Sequence, residues 1–193
     1  MYISRGNHKL SNKIGIWNLP HKKTCIGSGI CRNFCYENKV AKRWIHVNNS
    51  REKNYRESRE RDFISIMTKK ISKSLIPLFR IHESGDFYSQ EYLNKWIEIA
   101  KNCKDTLFIA YTKSFTLDFD KIPKNMKIIQ SYGSRFDNKI NTRRNTARVI
   151  TDSKELKKNE YLCPYSNKDF TKCGEYCSYC FSKKVVHVAF LKH

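Results

Sequence analysis

The cysteines Cys25, Cys31 and Cys35 lie within eleven residues of one another, shortly after an apolar run at residues 14–19. That run contains Ile and Trp residues and is closed by Pro20, as is typical of a strand. Three thiols so closely spaced in a glycine-containing loop are typical of metal ligands. The sequence therefore predicts a fold in which the first strand leads directly into a metal-binding loop.

A second group of four cysteines lies near the other end of the chain, at Cys163, Cys173, Cys177 and Cys180. Thiolates bind zinc and iron–sulfur clusters alike. Four thiols can close a structural site, whereas the three thiols of the first group leave one metal position open for a substrate or cofactor. Radical S-adenosylmethionine enzymes use the C-x3-C-x2-C spacing of the second group, although the first group occupies their usual place after strand one.

The identity of the metal and the number of sites stay open at this level. We expect one or two [4Fe–4S] clusters, with zinc as the alternative. A zinc ion at the first group needs a fourth ligand, for which His21 or His46 is available. A single site that draws thiols from both groups is a further alternative. The eighth cysteine, Cys103, falls on the apolar stripe of a predicted helix, so we expect it to be a buried core thiol.

The chain is strongly basic, with 38 Lys and Arg against 18 Asp and Glu and a net charge of +20. Self-repulsion of this size opposes compaction, so a nucleic acid, DNA or RNA, is the expected partner. A solubility effect or a bias in coding composition is the alternative. The candidate nucleic-acid-binding residues come from two basic segments: Lys42, Arg43, Arg51, Arg56, Arg59, Arg143 and Arg144.

We expect no membrane partner. No apolar run reaches the roughly 18 residues that a membrane-spanning helix needs. The basic stretches are not strongly amphipathic, and residues 1–5 lack the apolar core of a signal peptide. The expected location is the cytoplasm, where thiols stay reduced.

Strand-like runs alternate with helical or short connections along the chain. The runs span residues 14–19, 78–82, 106–112, 127–132, 147–151 and 185–191. This alternation predicts βαβ units and a parallel sheet. We therefore predict an α/β fold, either a partial parallel (βα) barrel or an open sheet of about five to six strands. The Cys-rich loops are expected at the rim formed by the carboxyl ends of the strands.

The chain divides into two parts that share one core. Residues 1–160 are predicted to form the α/β core, with the first cysteine loop at 21–35 and a basic helical segment at 36–73. Residues 161–193 hold the second cysteine group and the final strand, packed on the same core.

Polar segments directly follow the first four predicted strands. Because ligands bind at the carboxyl ends of parallel strands, these segments are expected to share one rim. The candidate cofactor-binding residues are Ser84, Gly85, Asp86, Lys113 and Ser131.

Two residues near this rim have a structural interpretation. Asp86 is equally suited to cap the helix that begins near Ser89. His82, within an apolar run, is expected to be a satisfied core histidine rather than a ligand.

Several segments together resemble the phage gene-product-88 family: IGIWNLPHKKTC, CRNFCYENK, RIHESGDFYSQEYLNKW, AYTKS and the late cysteine pattern that begins at Cys163. The match covers nearly the whole chain. The family's arrangement is in turn similar to a shortened radical S-adenosylmethionine barrel. The resemblance implies a cluster at Cys25, Cys31 and Cys35 and a cofactor-facing turn at Ser84-Gly85-Asp86. It brings no established reaction, and for a phage-encoded chain the cytoplasm is that of the host cell.

Two functions from different classes follow. The first is an enzyme in which a three-thiol [4Fe–4S] cluster binds a cofactor such as S-adenosylmethionine and a nucleotide or polynucleotide is modified at the rim. The second is a non-enzymatic nucleic-acid-binding protein whose zinc or iron–sulfur sites are structural. Whether the chain is an enzyme stays open at this point.

Overall fold

The computed structural model describes residues 1–167, 169 and 171–192, apart from the side chains of residues 41 and 42. In these ranges the strands are β1 (Ser4–Arg5), β2 (Ile14–Trp17), β3 (Leu78–Ile81), β4 (Leu107–Thr112), β5 (Met126–Ser131), β6 (Thr146–Ile150), β7 (Tyr161–Leu162) and β8 (His187–Leu191). The α-helices in the same ranges are α1 (Glu37–Arg43), α2 (Ile45–Glu57), α3 (Phe63–Lys73) and α4 (Gln90–Asn102).

The strands form one sheet in the order β1-β2-β3-β4-β5-β6-β8-β7. Each neighbouring pair is parallel except β1 with β2, which is antiparallel. Within the described ranges no ladder joins one edge of the sheet to the other, so the sheet is open rather than closed into a barrel. The predicted α/β fold with a parallel sheet is confirmed, in its open form.

All six predicted strands are present. The two additional strands, β1 and β7, lie at the edges of the sheet and have two residues each. Elements this short leave no periodic pattern in a sequence, which is why they were not predicted.

Helices α3 and α4 cover one face of the sheet. Fully buried aromatic rings from three strands and both helices meet there: Trp17, Phe63, Phe79, Trp96 and Phe108. Burying a side chain of this size stabilises a fold by about 1.5–3 kcal/mol. This layer therefore contributes much of the free energy that holds the strand ends in place.

The two ends of α4 test two predictions made from the sequence, the capping role of Asp86 and the burial of Cys103. Ser89 caps the start of the helix, because its Oγ accepts a hydrogen bond from the Tyr92 N–H at 3.2 Å. The alternative in which Asp86 caps this helix is therefore wrong. Cys103 follows the last turn, is 5% exposed and lies with its Sγ 3.6 Å from the Ser72 Oγ. Its prediction as a buried core thiol is confirmed.

The opposite face of the sheet is covered by the segment between β7 and β8. The second core combines strand side chains with side chains of this segment: Ile16, Ile109, Ile129 and Val188 with Cys163 and Phe181. The C-terminal cysteine segment therefore packs on the same sheet as the rest of the chain.

The basic segment at 36–73 is docked on the fold and is interrupted twice, at Trp44 and between α2 and α3. The sequence predicts a helix over residues 36–61, but the structure breaks it at Trp44, where φ is −128° and ψ is 84°. No residue marks the break, because the charged residues on both sides have good helix propensity. Asn54 of α2 donates from its Nδ2 to the carbonyls of Tyr2 at 3.0 Å and Asn18 at 3.1 Å.

In the part of the chain that the structure describes, no helix combines the length and the hydropathy that crossing a bilayer requires.

Candidate cofactor and metal site

The first cysteine loop lies across the carboxyl ends of β4 and β5. Ser134, which follows β5, donates from its Oγ to the carbonyl of Gly27 at 2.7 Å and to that of Lys113 at 2.9 Å. The Gly29 N–H donates to the Gly133 carbonyl at 3.1 Å. The polar segments that follow β2, β4 and β5 therefore meet at one rim, as the parallel order of the strands predicts.

Gly27 makes this close contact possible. A Cβ at this position would lie 1.8 Å from the carbonyl oxygen of Lys113, far inside any tolerable separation. Only glycine lets the two backbones approach so closely. The glycine in the first cysteine loop thus fixes the position of the loop over the rim.

The turn after β3 supports the rim from within the protein. Oδ1 of Asp86 accepts hydrogen bonds from the Thr112 Oγ1 and the Phe87 N–H, both at 2.7 Å, and Oδ2 accepts from the Lys113 N–H at 2.8 Å. Burial raises the pKa of the Asp86 carboxyl, and these hydrogen bonds oppose the rise. Ser84 is 2% exposed and donates from its Oγ to the Leu19 carbonyl at 3.0 Å.

Gly85 lies between these two residues with a φ of +86°. This left-handed conformation favours glycine. A Cβ there would lie 2.7 Å from the Cβ of Leu19 and from the Oγ1 of Thr24. Gly85 therefore permits the turn that aims the Asp86 carboxylate at the end of β4.

Lys113 connects the ends of β4 and β5. Its Nζ donates to the carbonyl of Tyr132 at 2.7 Å, to the carbonyl of Ser131 at 3.3 Å and to the Ser131 Oγ. Burial lowers the pKa of Lys113, and the nearby charges of Cys31 and Asp86 act in the opposite direction. The ammonium therefore lies under the first cysteine loop.

The five residues predicted to bind a cofactor thus lie together, but their polar side chains are already engaged. Ser84, Asp86, Lys113 and Ser131 each hydrogen-bond within the protein. Their observed role is to hold the rim together. A cofactor at this rim would be contacted by backbone groups and by the thiols above it.

The three thiols of the first group, those of Cys25, Cys31 and Cys35, are each partly exposed. Burial raises the pKa of Cys25 to about 12, and the charges of Asp86, Cys35 and Cys31 act in the same direction. Burial also raises the pKa of Cys35. These two thiols are therefore protonated at neutral pH, and a metal ion would have to displace their protons.

The second group lies on the sheet face opposite the helices. The Tyr111 Oη donates to the Cys180 Sγ at 3.0 Å, and the backbones of Cys173 and Cys177 pair with each other. Burial raises the pKa of Cys173 to about 11, and the nearby charges of Cys163, Cys180 and Cys177 add to the rise. The thiols whose charges act on Cys173 therefore belong to its own group.

The donor chemistry of both groups fits a thiophilic metal, since cysteine thiolates are ligands of zinc and of iron–sulfur clusters. Among the described residues, however, no three His, Cys, Asp or Glu side chains converge closely enough to hold a metal ion. Binding a metal would require the thiols to turn toward one another. The assignment of a metal to these groups therefore depends on the type of donor atom alone.

The predicted nucleic-acid-binding arginines fall into three situations. Arg56 and Arg59 are exposed and border a pocket that contains Tyr55. Arg143 and Arg144 are exposed at a different cleft, which runs along β5.

The third situation involves α1 and the start of α2. Arg43 is exposed, with its guanidinium 5.4 Å from the centre of the Trp44 ring. Arg51 is 6% exposed and forms an ion pair with Glu37, which joins α1 to α2. Its prediction as a nucleic-acid contact is corrected to a structural role, because its charge is buried and paired. The side chain of Lys42 lies outside the described residues.

The sequence analysis did not predict a series of polar contacts on the sheet face that the second group covers. The Arg80 guanidinium lies 4.0 Å from the centre of the Tyr111 ring, and Tyr111 in turn bonds Cys180. The sequence does contain a sign of these contacts, because an arginine within a buried strand needs a partner for its charge.

His82, two residues after Arg80, is a core histidine as predicted, at 2% exposure, but only one of its ring nitrogens is satisfied within the described structure. Its Nε2 lies 2.9 Å from the Tyr92 Oη, whereas its Nδ1 has no hydrogen-bond partner among the described groups. Its backbone φ is +62°, a conformation that histidine adopts more readily than most residues.

The fold and the cysteines together define a class: an open, mostly parallel α/β sheet with one thiol group over the strand ends and another on the face opposite α3 and α4. The chain belongs to the gene product 88 family, whose family model matches residues 1–189.

A curated relative is the gene 88 protein of Mycobacterium phage D29, which is 26% identical over 127 residues. The alignment covers 58% of this chain and 53% of that protein, so the chain matches about half the length of the relative. No solved structure matches the chain.

Proposed function

We propose that this phage-type protein is an iron–sulfur protein that binds nucleic acid. The observation that carries the proposal is the position of Cys25, Cys31 and Cys35 over the rim of the sheet, where four strand-end segments meet. Ligands of parallel sheets bind at this edge. Three thiols supply an incomplete ligand set for a four-iron cluster and leave one position for a cofactor or substrate.

The four thiols of the second group support a second site with a closed ligand set. They belong to the segment that covers one face of the sheet, so a metal there would have a structural role. Zinc is the alternative at either group. At the first group His21 could complete a zinc site through its Nδ1, because its Nε2 lies 3.2 Å from the Asn38 Oδ1 and can donate to that oxygen.

The nucleic-acid part of the proposal is supported by charge. The chain carries a net charge of +20, and the arginines Arg43, Arg56, Arg59, Arg143 and Arg144 are exposed. None of these five forms an ion pair within the described structure. Unpaired positive charge of this amount favours a polyanionic partner.

The proposal has an enzymatic and a non-enzymatic form. In the first, the open position at the rim takes S-adenosylmethionine, and a nucleotide or polynucleotide is modified there. In the second, both metal sites are structural and the protein only binds nucleic acid. The three-thiol ligand count favours the first form, because a purely structural site has no need of an open position.

Anaerobic reconstitution with iron and sulfide, followed by metal analysis and absorption spectroscopy, tests the metal. We expect a coloured protein whose iron and sulfide content falls by about half in a Cys25→Ser/Cys31→Ser/Cys35→Ser variant if both groups hold the same type of cluster. The control is Cys103→Ser, which removes a core thiol far from both groups. A colourless protein with stoichiometric zinc would replace iron–sulfur by zinc in the proposal.

Binding of S-adenosylmethionine to the reconstituted protein, measured by equilibrium dialysis, separates the two forms. The enzymatic form requires binding that the triple serine variant loses. Absence of binding to a fully loaded cluster leaves the non-enzymatic form. Nucleic-acid binding is tested independently, by its steep decrease with salt.

A further inference from the structure

The sheet face that carries the helices is left uncovered over β5. Helix α4 precedes β4, but the connections after β4 and β5 contain no α-helix in the described chain. The result is a cleft of about 1120 Å³ that extends from Thr106 at the start of β4 to Gln130 near the end of β5 and also contacts Phe181 and Lys183, from the segment that covers the opposite face. A six-residue strand spans about 20 Å, so the cleft is a groove rather than a small-molecule pocket.

The floor of this groove is apolar and partly aromatic. Phe115, Phe119 and Ile128 line it and are only half-buried. Phe119 is anchored against the core, with its ring centre 6.3 Å from that of Phe87. Half-exposed phenylalanine rings on a rigid base are suitable platforms for flat ligands.

The walls of the groove are positively charged. Six exposed cations line it: Lys104, Lys124, Lys139, Arg143, Arg144 and Lys183. None of them forms an ion pair in the described structure. The acidic residues that line the same groove are Asp105, Asp118 and Asp120. The excess of unpaired cations matches a ligand with several negative charges.

We infer that this groove binds a single-stranded nucleic acid, with bases on the phenylalanine rings and phosphates on the cations. The inference rests on the proposed function and names the substrate class and the surface that receives it. A single strand fits better than a duplex, because a duplex keeps the faces of its bases stacked and out of reach of the rings. The groove ends near the carboxyl ends of β4 and β5, so a bound strand would be led toward the rim that carries the first cysteine group.

The test uses the full chain and fluorescence anisotropy with a labelled single-stranded oligonucleotide and the matching duplex, over a range of salt concentrations. A Lys139→Gln/Arg143→Gln/Arg144→Gln variant removes three groove charges. A Lys154→Gln/Lys157→Gln/Lys158→Gln variant removes the same charge at exposed positions outside the groove and is the matched control. We expect the groove variant to weaken single-strand binding at least tenfold and to reduce the salt slope by about two, and the control to change affinity by less than about threefold.

A Phe119→Leu variant tests the floor. Leucine keeps an apolar side chain but removes the stacking surface, so single-strand affinity should fall about tenfold with an unchanged salt slope. Thermal unfolding of each variant establishes that the fold is retained.

The outcomes separate this inference from the proposed function. If the wild-type chain binds no nucleic acid at any salt concentration, both fail. If it binds and only the control variant loses affinity, the proposed function stands and the groove assignment is overturned. A preference for the duplex overturns it as well. Equal competition by poly-glutamate of the same total charge would assign the groove to an acidic protein segment and overturn the inference in that way.

Discussion

The Oδ2 of Asp86 accepts a hydrogen bond from the backbone N–H of Lys113 at 2.8 Å, which ties the turn after β3 to the end of β4. The same carboxylate also receives the Thr112 hydroxyl and the Phe87 N–H, so three donors end on one buried group. Lys113 continues the connection to the end of β5 through its ammonium group. The rim under the first cysteine loop is therefore one hydrogen-bonded unit rather than four independent turns.

The first prediction concerns this carboxylate. Asp86→Ala leaves three donors without their acceptor in a buried place, so we expect the free energy of unfolding to fall by about 2–4 kcal/mol. Urea denaturation measures the change. Asp105→Ala at an exposed position is the control and should stay within about 0.5 kcal/mol of wild type. Equal effects of the two substitutions would show that the carboxylate does not hold the rim.

The second prediction concerns the contact between Gly27 and the Lys113 carbonyl. Gly27→Ala places a Cβ where the carbonyl oxygen now lies, so the loop must move away from the rim. We expect a loss of about 1–3 kcal/mol in stability and a lower metal content at the first group. Asn33→Ala, at an exposed position in the same loop, is the control. Unchanged stability and metal content in Gly27→Ala would contradict the observed contact.

The third prediction distinguishes Arg51 from its exposed neighbours. Arg51→Gln leaves the Glu37 carboxylate buried without its partner, which should cost about 3–5 kcal/mol. Arg56→Gln removes an exposed charge and should change stability by less than about 0.5 kcal/mol. If Arg51 instead contacts phosphate, its loss would reduce the salt slope of nucleic-acid binding by about one and leave stability unchanged. Urea denaturation and salt-dependent binding together decide between these roles.

The sequence was sufficient for the six longer strands and for the parallel sheet that they form, because each of them is a short apolar run. It also predicted that Ser84, Asp86, Lys113 and Ser131 lie at one rim. It could not predict that Asp86 accepts from Thr112 and Lys113 or that Lys113 bonds Ser131, because those bonds join residues 18 to 27 positions apart. Sequence spacing alone does not distinguish a side chain that faces a ligand from one that faces its neighbour.

The cleft over β5 and the burial of Arg51 were also beyond the sequence. The cleft exists because, in the described chain, the connections after β4 and β5 contain no α-helix. A missing helix leaves no periodic pattern in the sequence from which the cleft could be predicted. Arg51 resembles its exposed neighbours Arg56 and Arg59 in composition and context, and only the pairing of α1 with α2 buries it. Both features depend on how distant segments pack, which local periodicity does not encode.

The fourth prediction concerns pH. Burial and the charge of Arg80 lower the pKa of His82 from 6.5 to about 3 in the folded chain. The unfolded chain therefore binds a proton near pH 6.5 that the folded chain refuses, so stability is full above that pH and decreases as pH falls toward 3. From pH 7 to pH 5 we expect His82 to account for a loss of about 2 kcal/mol.

Urea denaturation at the two pH values, for wild type and His82→Asn, measures this contribution. Asparagine tolerates the positive φ of this position and does not titrate. The variant should therefore lose less stability than wild type on going from pH 7 to pH 5. An identical decrease in both proteins would show that His82 is not the group responsible.

The fifth prediction follows metal uptake at the first group. Burial holds the pKa of Cys25 at about 12 and raises that of Cys35, so both thiols carry protons at pH 7 before metal binds. Because metals bind thiolates, uptake should release about two protons from these residues and the affinity should rise with pH. Calorimetry in buffers of different ionisation enthalpy counts the protons. Cys25→Ser/Cys35→Ser should release about two fewer protons than wild type, whereas Cys103→Ser, a buried thiol outside both groups, should leave the number unchanged. The same count in all three proteins would show that these thiols are not the ligands, and the position of the loop over the rim would then need another explanation.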